Sequence, residues 1–366
     1  MKARILSPTS ENIALAAAAL RSGDIVGMPT ETVYGLAGGV SLPLAVAKIF
    51  DVKERPTFDP LIVHVSSGTK TLESLSELRL VDLMGFKSSA RKRARTLAQL
   101  LIDEFWPGPL TLVLPKHLDV PDIVTSGLST VGIRMPRHPV AQRLIDMAGM
   151  PLAAPSANRF GRISPTRAQD VDAELGDRIN YILDGGRSDV GLESTVLAIS
   201  PEAKLSLLRP GIISKTEIEE ITGISVERPP ASKSRRQSPR APGMLESHYA
   251  PHKPLTLLPC PVLKLRKGDF KVPLTSDRLG VLLLSGDPAQ ARQHLAAVLG
   301  VENDRILVKT LSRTGDFQEI ARHLFAELRA LDASDVDWIV AEPCSVEVGL
   351  GHAIADRLKR ASAGRS

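Results

Sequence analysis

Lys53 and Arg55 stand two residues apart in Lys53-Glu54-Arg55-Pro56, between a helix-like stretch, Leu44 to Phe50, and a strand by composition, Leu61 to Val65. On non-helical backbone the two side chains can face one anion. Arginine offers a planar fork and lysine a point charge, a combination suited to a polyphosphate. A solvated basic turn is the competing reading. A second concentration of polar groups runs from Leu152 to Thr166. There a short apolar run, Leu152 to Ala154, feeds a segment in which Pro155 and Pro165 lack backbone donors. Ser156, Asn158, Arg159, Arg162 and Ser164 lie between the two prolines. Loops at the ends of buried strands are where α/β proteins hold ligands. A polar turn in which Ser164 caps a helix starting at Pro165 fits the same residues.

Three other places carry groups of the right type. Pro29-Thr30-Glu31-Thr32-Val33-Tyr34 brings two hydroxyls, a carboxylate and a phenol directly after a short buried strand, Ile25 to Met28. This is a small-ligand loop or a turn into the next helix. His64, inside an apolar strand, reads as a core histidine or a site group. Arg134, near the end of the strand Thr130 to Pro136, calls for a carboxylate, the protein's own or a ligand's. Lys87 to Arg95 holds five cations in nine residues and no acid. That run suits either RNA phosphates or a solvated helix face.

The elements that must position these groups form two patterns. In the first part, Ser10 opens an alanine-rich helix that Gly23 ends, Leu110 to Leu114 and Ile182-Leu183 are strands, and Thr166 to Leu175 is a helix. The alternation is irregular, which predicts a mixed sheet. No GxxxxGK[ST] loop is present and no GxGxxG follows a strand, so any nucleotide must be held another way. Arg228 to Arg240 has five cations, three prolines and no acid, the composition of an extended linker. Beyond Leu255 the alternation is clean. Strands are expected at Leu279 to Leu284, Arg305 to Val308 and Val336 to Ala341, and helices at Asp287 to Gly300, Asp316 to Leu331 and Leu350 to Lys359. That predicts a small parallel sheet of the Rossmann-like kind. The expected domains are 1–225, a linker 226–253, and 254–366.

The 366 residues are 43% apolar and 24% charged, a globular composition with ample material for two cores. The net charge of +5 favours anionic partners. Cys260 and Cys344, the two cysteines, give no metal-ligand spacing and no disulfide framework. With no signal-like N-terminus and no apolar run of membrane-spanning length, a cytoplasmic protein without a membrane partner is expected.

Seven motifs then occur in order: PTETVYGL from Pro29, KERPTFDPLIVHV from Lys53, FWPGPLTLVL from Phe105, TVGIRMPRHP from Thr130, PSANRFGRISPT from Pro155, ILDGG from Ile182 and ESTV from Glu193. Together they resemble the YrdC-like family, and Pro242-Gly243-Met244 with His248-Tyr249-Ala250-Pro251 makes the chain similar to its two-domain threonylcarbamoyl-AMP synthases. The resemblance implies a twisted mixed sheet around a concave basic cavity, plus a smaller Rossmann-like C-terminal domain. It implies that L-threonine, bicarbonate and ATP, with Mg²⁺, give threonylcarbamoyl-AMP and pyrophosphate, for modification of a tRNA adenosine next to the anticodon. Carried over residue by residue, the catalytic cluster is Lys53, Arg55, Ser156 and Asn158. L-Threonine falls to Thr32, His64, Arg134 and Ser194. ATP falls to Arg55, Asp59, Thr130, Ala154 (through its backbone), Ser156, Ser164, Arg209 and Tyr249, the last from a linker over the cavity mouth. Asp59 occupies a position that the family varies. No resident metal site is implied. Weak tRNA binding and a downstream tRNA threonylcarbamoyl transferase machinery are the further partners. The alternatives are a double-stranded-RNA or tRNA-binding module, and a carbamoyl-transfer protein of the same fold. The second of these carries cysteine-rich zinc motifs that two distant cysteines do not supply.

Overall fold

The computed structural model describes residues 2–228, 248–270, 277–346 and 349–363. Most of the expected linker over the cavity mouth, 229–247, lies outside the described residues. The chain divides into two compact units. The first comprises the described residues of Met1–Phe160, Pro165–Asp189 and Glu193–Met244; the second comprises those of Gly161–Ser164, Val190–Leu192 and Leu245–Ser366.

The strands of the first unit are β1 (Arg4–Leu6), β2 (Val26–Met28), β3 (Gly35–Gly39), β4 (Ile62–His64), β5 (Leu110–Pro115), β6 (Thr130–Arg134), β7 (Leu152–Ala153), β8 (Tyr181–Leu183), β9 (Thr195–Ile199), β10 (Leu205–Arg209) and β11 (Val226–Glu227). They form one mixed sheet in the order β1-β8-β2-β3-β7-β4-β6-β5-β9-β10-β11. Its helices are α1 (Ser10–Arg21), α2 (Pro43–Lys53), α3 (Leu72–Glu77), α4 (Arg91–Phe105), α5 (Asp122–Thr125), α6 (Pro139–Ala148), α7 (Ala168–Leu175) and α8 (Lys215–Thr222). This is the mixed sheet that irregular alternation predicts.

The register of the central strands sorts their residues onto two faces. Val63 pairs with Ile133, Ile133 with Leu112, Leu112 with Leu197 and Leu197 with Leu207. All five are buried in the larger core of this unit. Because successive side chains alternate between faces, the rows on either side of this one point away from that core. One flanking row is Ile62, Gly132, Val113 and Ala198. In the other, His64 pairs with Arg134 and Val196 with both Thr111 and Arg209, while Leu112 opposite Ile133 brings Thr111 beside Arg134. A register shift between Leu207 and Arg209 lets Arg209 take the place opposite Val196. Bulges of this kind re-aim a side chain.

The stretch after Tyr34 is a strand rather than a turn into the next helix. Gly35–Gly39 pairs antiparallel with β2 and β7. Its GLAGG composition hides it from strand propensity, but the tertiary packing requires small residues. A Cβ on Gly38 would stand 3.1 Å from Ile49 Cδ1, and one on Gly35 3.2 Å from the Ala154 Cβ. The basic run straddles the start of α4, whose Ala94, Leu97, Ala98, Leu101 and Ile102 are buried. Its cations therefore lie off the buried stripe; Lys87 pairs with Glu202 and Arg95 with Glu73.

The second unit has β12 (Leu255–Leu257), β13 (Leu279–Ser285), β14 (Ile306–Ser312) and β15 (Trp338–Ala341), with α9 (Pro288–Leu299), α10 (Phe317–Ala333) and α11 (Gly349–Ser362). Its sheet is parallel throughout, in the order β12-β15-β13-β14. That is the small parallel sheet expected. β14 runs on past Val308 because Thr310 and Ser312 still pair with β13, a contact that their polarity does not announce.

Candidate active site

The first cluster is built by the end of α2. Glu54 closes that helix in the left-handed region, at φ 53° and ψ 36°. The tight turn at Glu54 sends Lys53 and Arg55, on either side of it, in different directions. Lys53 is fully buried and its ammonium donates to the carbonyls of Ser156 (2.5 Å) and Asn158. Burial pushes its pKa well below the usual lysine value, helped by the charge of Arg55 and opposed by Asp59 and Glu174. Arg55 donates from Nε to the Asp59 carbonyl at 3.0 Å and from a terminal nitrogen to the Pro60 carbonyl at 2.9 Å. It also ion-pairs with the Asp59 carboxylate at 2.9 Å.

The loop after β7 is pinned by backbone bonds. Leu36 N–H donates to Pro155 O at 2.8 Å and Ala157 N–H to Tyr34 O at 2.8 Å. Ala154 N–H donates to Ile62 O at 2.9 Å. Ser156 is half-buried at this point, and the Asn158 side chain donates to the Arg159 carbonyl at 2.8 Å. Lys53, Arg55, Asp59, Ala154, Ser156 and Asn158 are thus brought together by one turn and one loop that lie far apart in sequence.

The second cluster is the row His64, Arg134, Thr111 and Arg209. Arg134 donates to Thr32 Oγ1 at 2.7 Å and to the Gly108 carbonyl at 3.2 Å, and pairs with Glu31 at 2.7 Å. Burial alone would push the Glu31 carboxyl up, but Arg134 and the Arg137 N–H hold it below the usual carboxylate range. Arg209 donates to the Ser194 hydroxyl at 3.0 Å and to its carbonyl at 3.1 Å. The Ser194 and Thr111 hydroxyls are bonded at 2.7 Å. Arg209 is also close enough to Asp59 to pull on its charge, which links the two clusters. The roles implied by the family resemblance included neither Glu31 nor Thr111. Glu31 carried a signal, a carboxylate between two threonines; Thr111 carried none, because only the register of β5 places it.

His64 Nδ1 lies 3.2 Å from the Ile62 carbonyl, which can only accept, so Nδ1 carries the proton and Nε2 is left as an acceptor. Burial, then the charge of Arg134, depresses its pKa from 6.5 to about 3. Between those values the unfolded chain binds a proton that the folded chain refuses, so stability falls as pH drops from 6.5 toward 3. Over the whole interval this amounts to roughly 5 kcal/mol. His64→Gln is expected to remove most of that acid loss, read as a shallower dependence of unfolding free energy on pH between 3 and 6.5. An unchanged slope would locate the titration elsewhere.

A small pocket is lined by Pro60, Leu61, Ile62, Thr111, Val113, Thr125, Leu128, Thr130, Gly132 and Val196. Ile62, Gly132, Val113, Thr111 and Val196 belong to the two rows facing away from the larger core, so the pocket shares a sheet face with His64, Arg134 and Arg209. Gly132 keeps its floor low; the nearest side-chain atom to a Cβ there would be Thr111 Cγ2 at 3.4 Å.

Ser164 and Tyr249 belong to the second unit. Ser164 is fully buried. Tyr249 is buried against Phe325, with ring centroids 5.4 Å apart, and under the Arg357 guanidinium at 5.4 Å. In the same unit Arg162 pairs with Asp332 at 3.3 Å. The single polar stretch read from sequence therefore supplies Ser156 and Asn158 to one unit and Arg162 and Ser164 to the other. Among the described residues no group of three or more His, Cys, Asp or Glu side chains is placed to hold a metal ion. No helix among them is long and apolar enough to cross a membrane.

Comparison with known proteins gives the family of the chain. Residues 18–211 match the Sua5/YciO/YrdC family model, described as telomere recombination, and residues 213–363 match the C-terminal domain of threonylcarbamoyl-AMP synthase. The chain is 39% identical to the threonylcarbamoyl-AMP synthase of Bacillus subtilis, over 98% of this chain and 95% of that one. It is 37% identical to that of Pyrococcus abyssi, over 96% and 94%. The crystal structure of P. abyssi Sua5 complexed with L-threonine superposes with a TM-score of 0.75 at 35% identity, covering 96% of this chain and 94% of that one. The chain belongs to the Sua5/YrdC family, in its two-domain threonylcarbamoyl-AMP synthase form.

Proposed function

We propose that this chain is an L-threonylcarbamoyladenylate synthase. The observation that carries the reading is the concentration of buried Lys53, Arg55, Arg134 and Arg209 with Thr32, His64, Ser194 and Ser156 in one unit, in a chain similar to synthases along almost its whole length. The L-threonine amine and bicarbonate give a carbamate with release of water, and a carbamate oxygen attacks the α-phosphorus of ATP. A new P–O bond forms there and the bond to pyrophosphate breaks. Such a step needs alignment and neutralised charge more than proton transfer. Arg134 takes the threonine carboxylate, with Thr32 and Ser194 beside it. The neutral His64 presents Nε2 as an acceptor for the threonine amine or hydroxyl. The nucleoside lies along the sheet face that carries Gly132, against Thr130. Arg55 and Arg209 face the triphosphate, and the Ser156 loop, held by Lys53, completes the anion site. Mg²⁺ enters with ATP as part of the substrate and supplies further charge neutralisation on the phosphates. The product is an activated acyl donor, consumed by a tRNA-modifying transferase in the cytoplasm, with weak tRNA contact.

Pyrophosphate release from ATP tests this directly. Release that needs both L-threonine and bicarbonate, and that L-serine supports poorly, is the expected result. Release without threonine would indicate a generic ATPase, and no release under any of these conditions would favour a binding module.

A further inference from the structure

Asp59 is an awkward residue for a triphosphate site. Its carboxylate is fully buried beside Arg55, within the influence of Lys53 and Arg209. A carboxylate repels phosphate oxygens, so direct contact with ATP would weaken binding rather than support it. Its position also matters. Arg55 is the cation next to the pocket wall, donating to the Pro60 carbonyl at 2.9 Å, and Pro60 lines the pocket. The side chains of Arg55 and Asp59 are 3% and 0% exposed, so water does little to screen the pair. Any other anion reaching Arg55 must take over the charge that Asp59 now neutralises.

We propose that Asp59 is an internal competitor for the triphosphate: it holds Arg55 until nucleotide arrives, and ATP binds by exchanging with it. The proposal rests on the assignment of the triphosphate to Arg55 made above. Three features support it. The pair is closed at 2.9 Å, so the guanidinium is already committed to an anion. The pair is local, four residues apart around the Pro56–Pro60 turn, where the Asp59 N–H donates to Pro56 O at 3.2 Å. That turn lies between α2 and β4, outside the paired strands of the sheet. Burial also raises the Asp59 pKa against the pull of Arg55, Lys53 and Arg209, so the buried carboxylate gives up its charge more readily than a surface one. The exchange sets ATP affinity below what the cation cluster alone would give, and leaves the threonine end, at Arg134 and Glu31, untouched.

The test is calorimetric binding of ATP, and of inorganic tripolyphosphate, to the full chain and to Asp59→Asn. The amide keeps an acceptor for Arg55 but removes the competing charge. The expected result is at least tenfold tighter binding of both ligands, with L-threonine affinity changed less than twofold. Equal or weaker binding of tripolyphosphate and ATP by a folded Asp59→Asn variant overturns the proposal. Should the variant not fold, the wild-type structure with ATP decides: phosphate oxygens on Arg55 with Asp59 displaced support the exchange, and an intact Arg55–Asp59 pair beside bound ATP overturns it. Tripolyphosphate binding does not depend on catalysis. A failure of threonine-dependent pyrophosphate release would thus count against the synthase reading and leave this result standing on its own.

Discussion

Replacing Arg55 with alanine is expected to lower threonine-dependent pyrophosphate release by about 10³-fold, the upper range for losing one preorganised donor to developing charge. The same change strands the Asp59 carboxylate in a buried site. Breaking one side of a buried ion pair costs about 3–5 kcal/mol, because the remaining charge has lost its compensation. The lost activity and the lost stability therefore need separating. The double variant Arg55→Ala/Asp59→Asn removes the stranded charge along with its partner. It should recover most of the unfolding free energy, measured by denaturant titration, while pyrophosphate release stays at the level of the single variant. Full activity in Arg55→Ala would remove the triphosphate from Arg55. Activity that returned with stability in the double variant would make the single effect one of folding alone.

Lys53→Met should also be severe, by a different route. Methionine matches the length of the lysine stem but cannot donate, so the carbonyls of Ser156 and Asn158 lose the ammonium that joins them. Each buried acceptor left without a donor costs about 1–3 kcal/mol. Relief of the buried charge offsets part of this, since burial already disfavours the ammonium form of Lys53. We expect a net loss of roughly 1–3 kcal/mol and a fall in pyrophosphate release of about 100-fold or more, as the loop carrying Ser156 loses its fixed geometry. Hydrogen exchange reports the cause. The amides of Ala157 and Leu36, which tie this loop to the segment around Tyr34, should exchange faster in the variant. Unchanged exchange with lost activity would instead place the Lys53 ammonium on substrate during the reaction.

The two predictions differ because the two cations do. They are neighbours in sequence, but the left-handed Glu54 turns one toward a loop and the other toward a carboxylate and the pocket wall. The sequence showed a pair of cations able to meet one anion. It carried no mark that Lys53 would be spent on backbone carbonyls, since those belong to residues more than a hundred positions away.

What the sequence determined by itself was local or combinatorial. Alternating and continuous apolar runs marked most central strands, and end signals such as Gly23 and Gly300 marked helix boundaries. The order of seven motifs pointed to the family, because each motif is ordinary and their succession is not. What only the tertiary structure decided was which side chains answer one another. The glycine-rich β3 escaped notice because its residues were selected for close packing rather than for strand propensity. Thr111 entered the site through the register of β5, and Arg209 through a bulge in β10. Glu31 and Asp59 proved to be the internal anions on Arg134 and Arg55, which composition could not indicate. The physical reason is that hydrogen bonds and ion pairs act over a few ångströms in space, while their partners here are separated along the chain by as few as four residues and as many as 170.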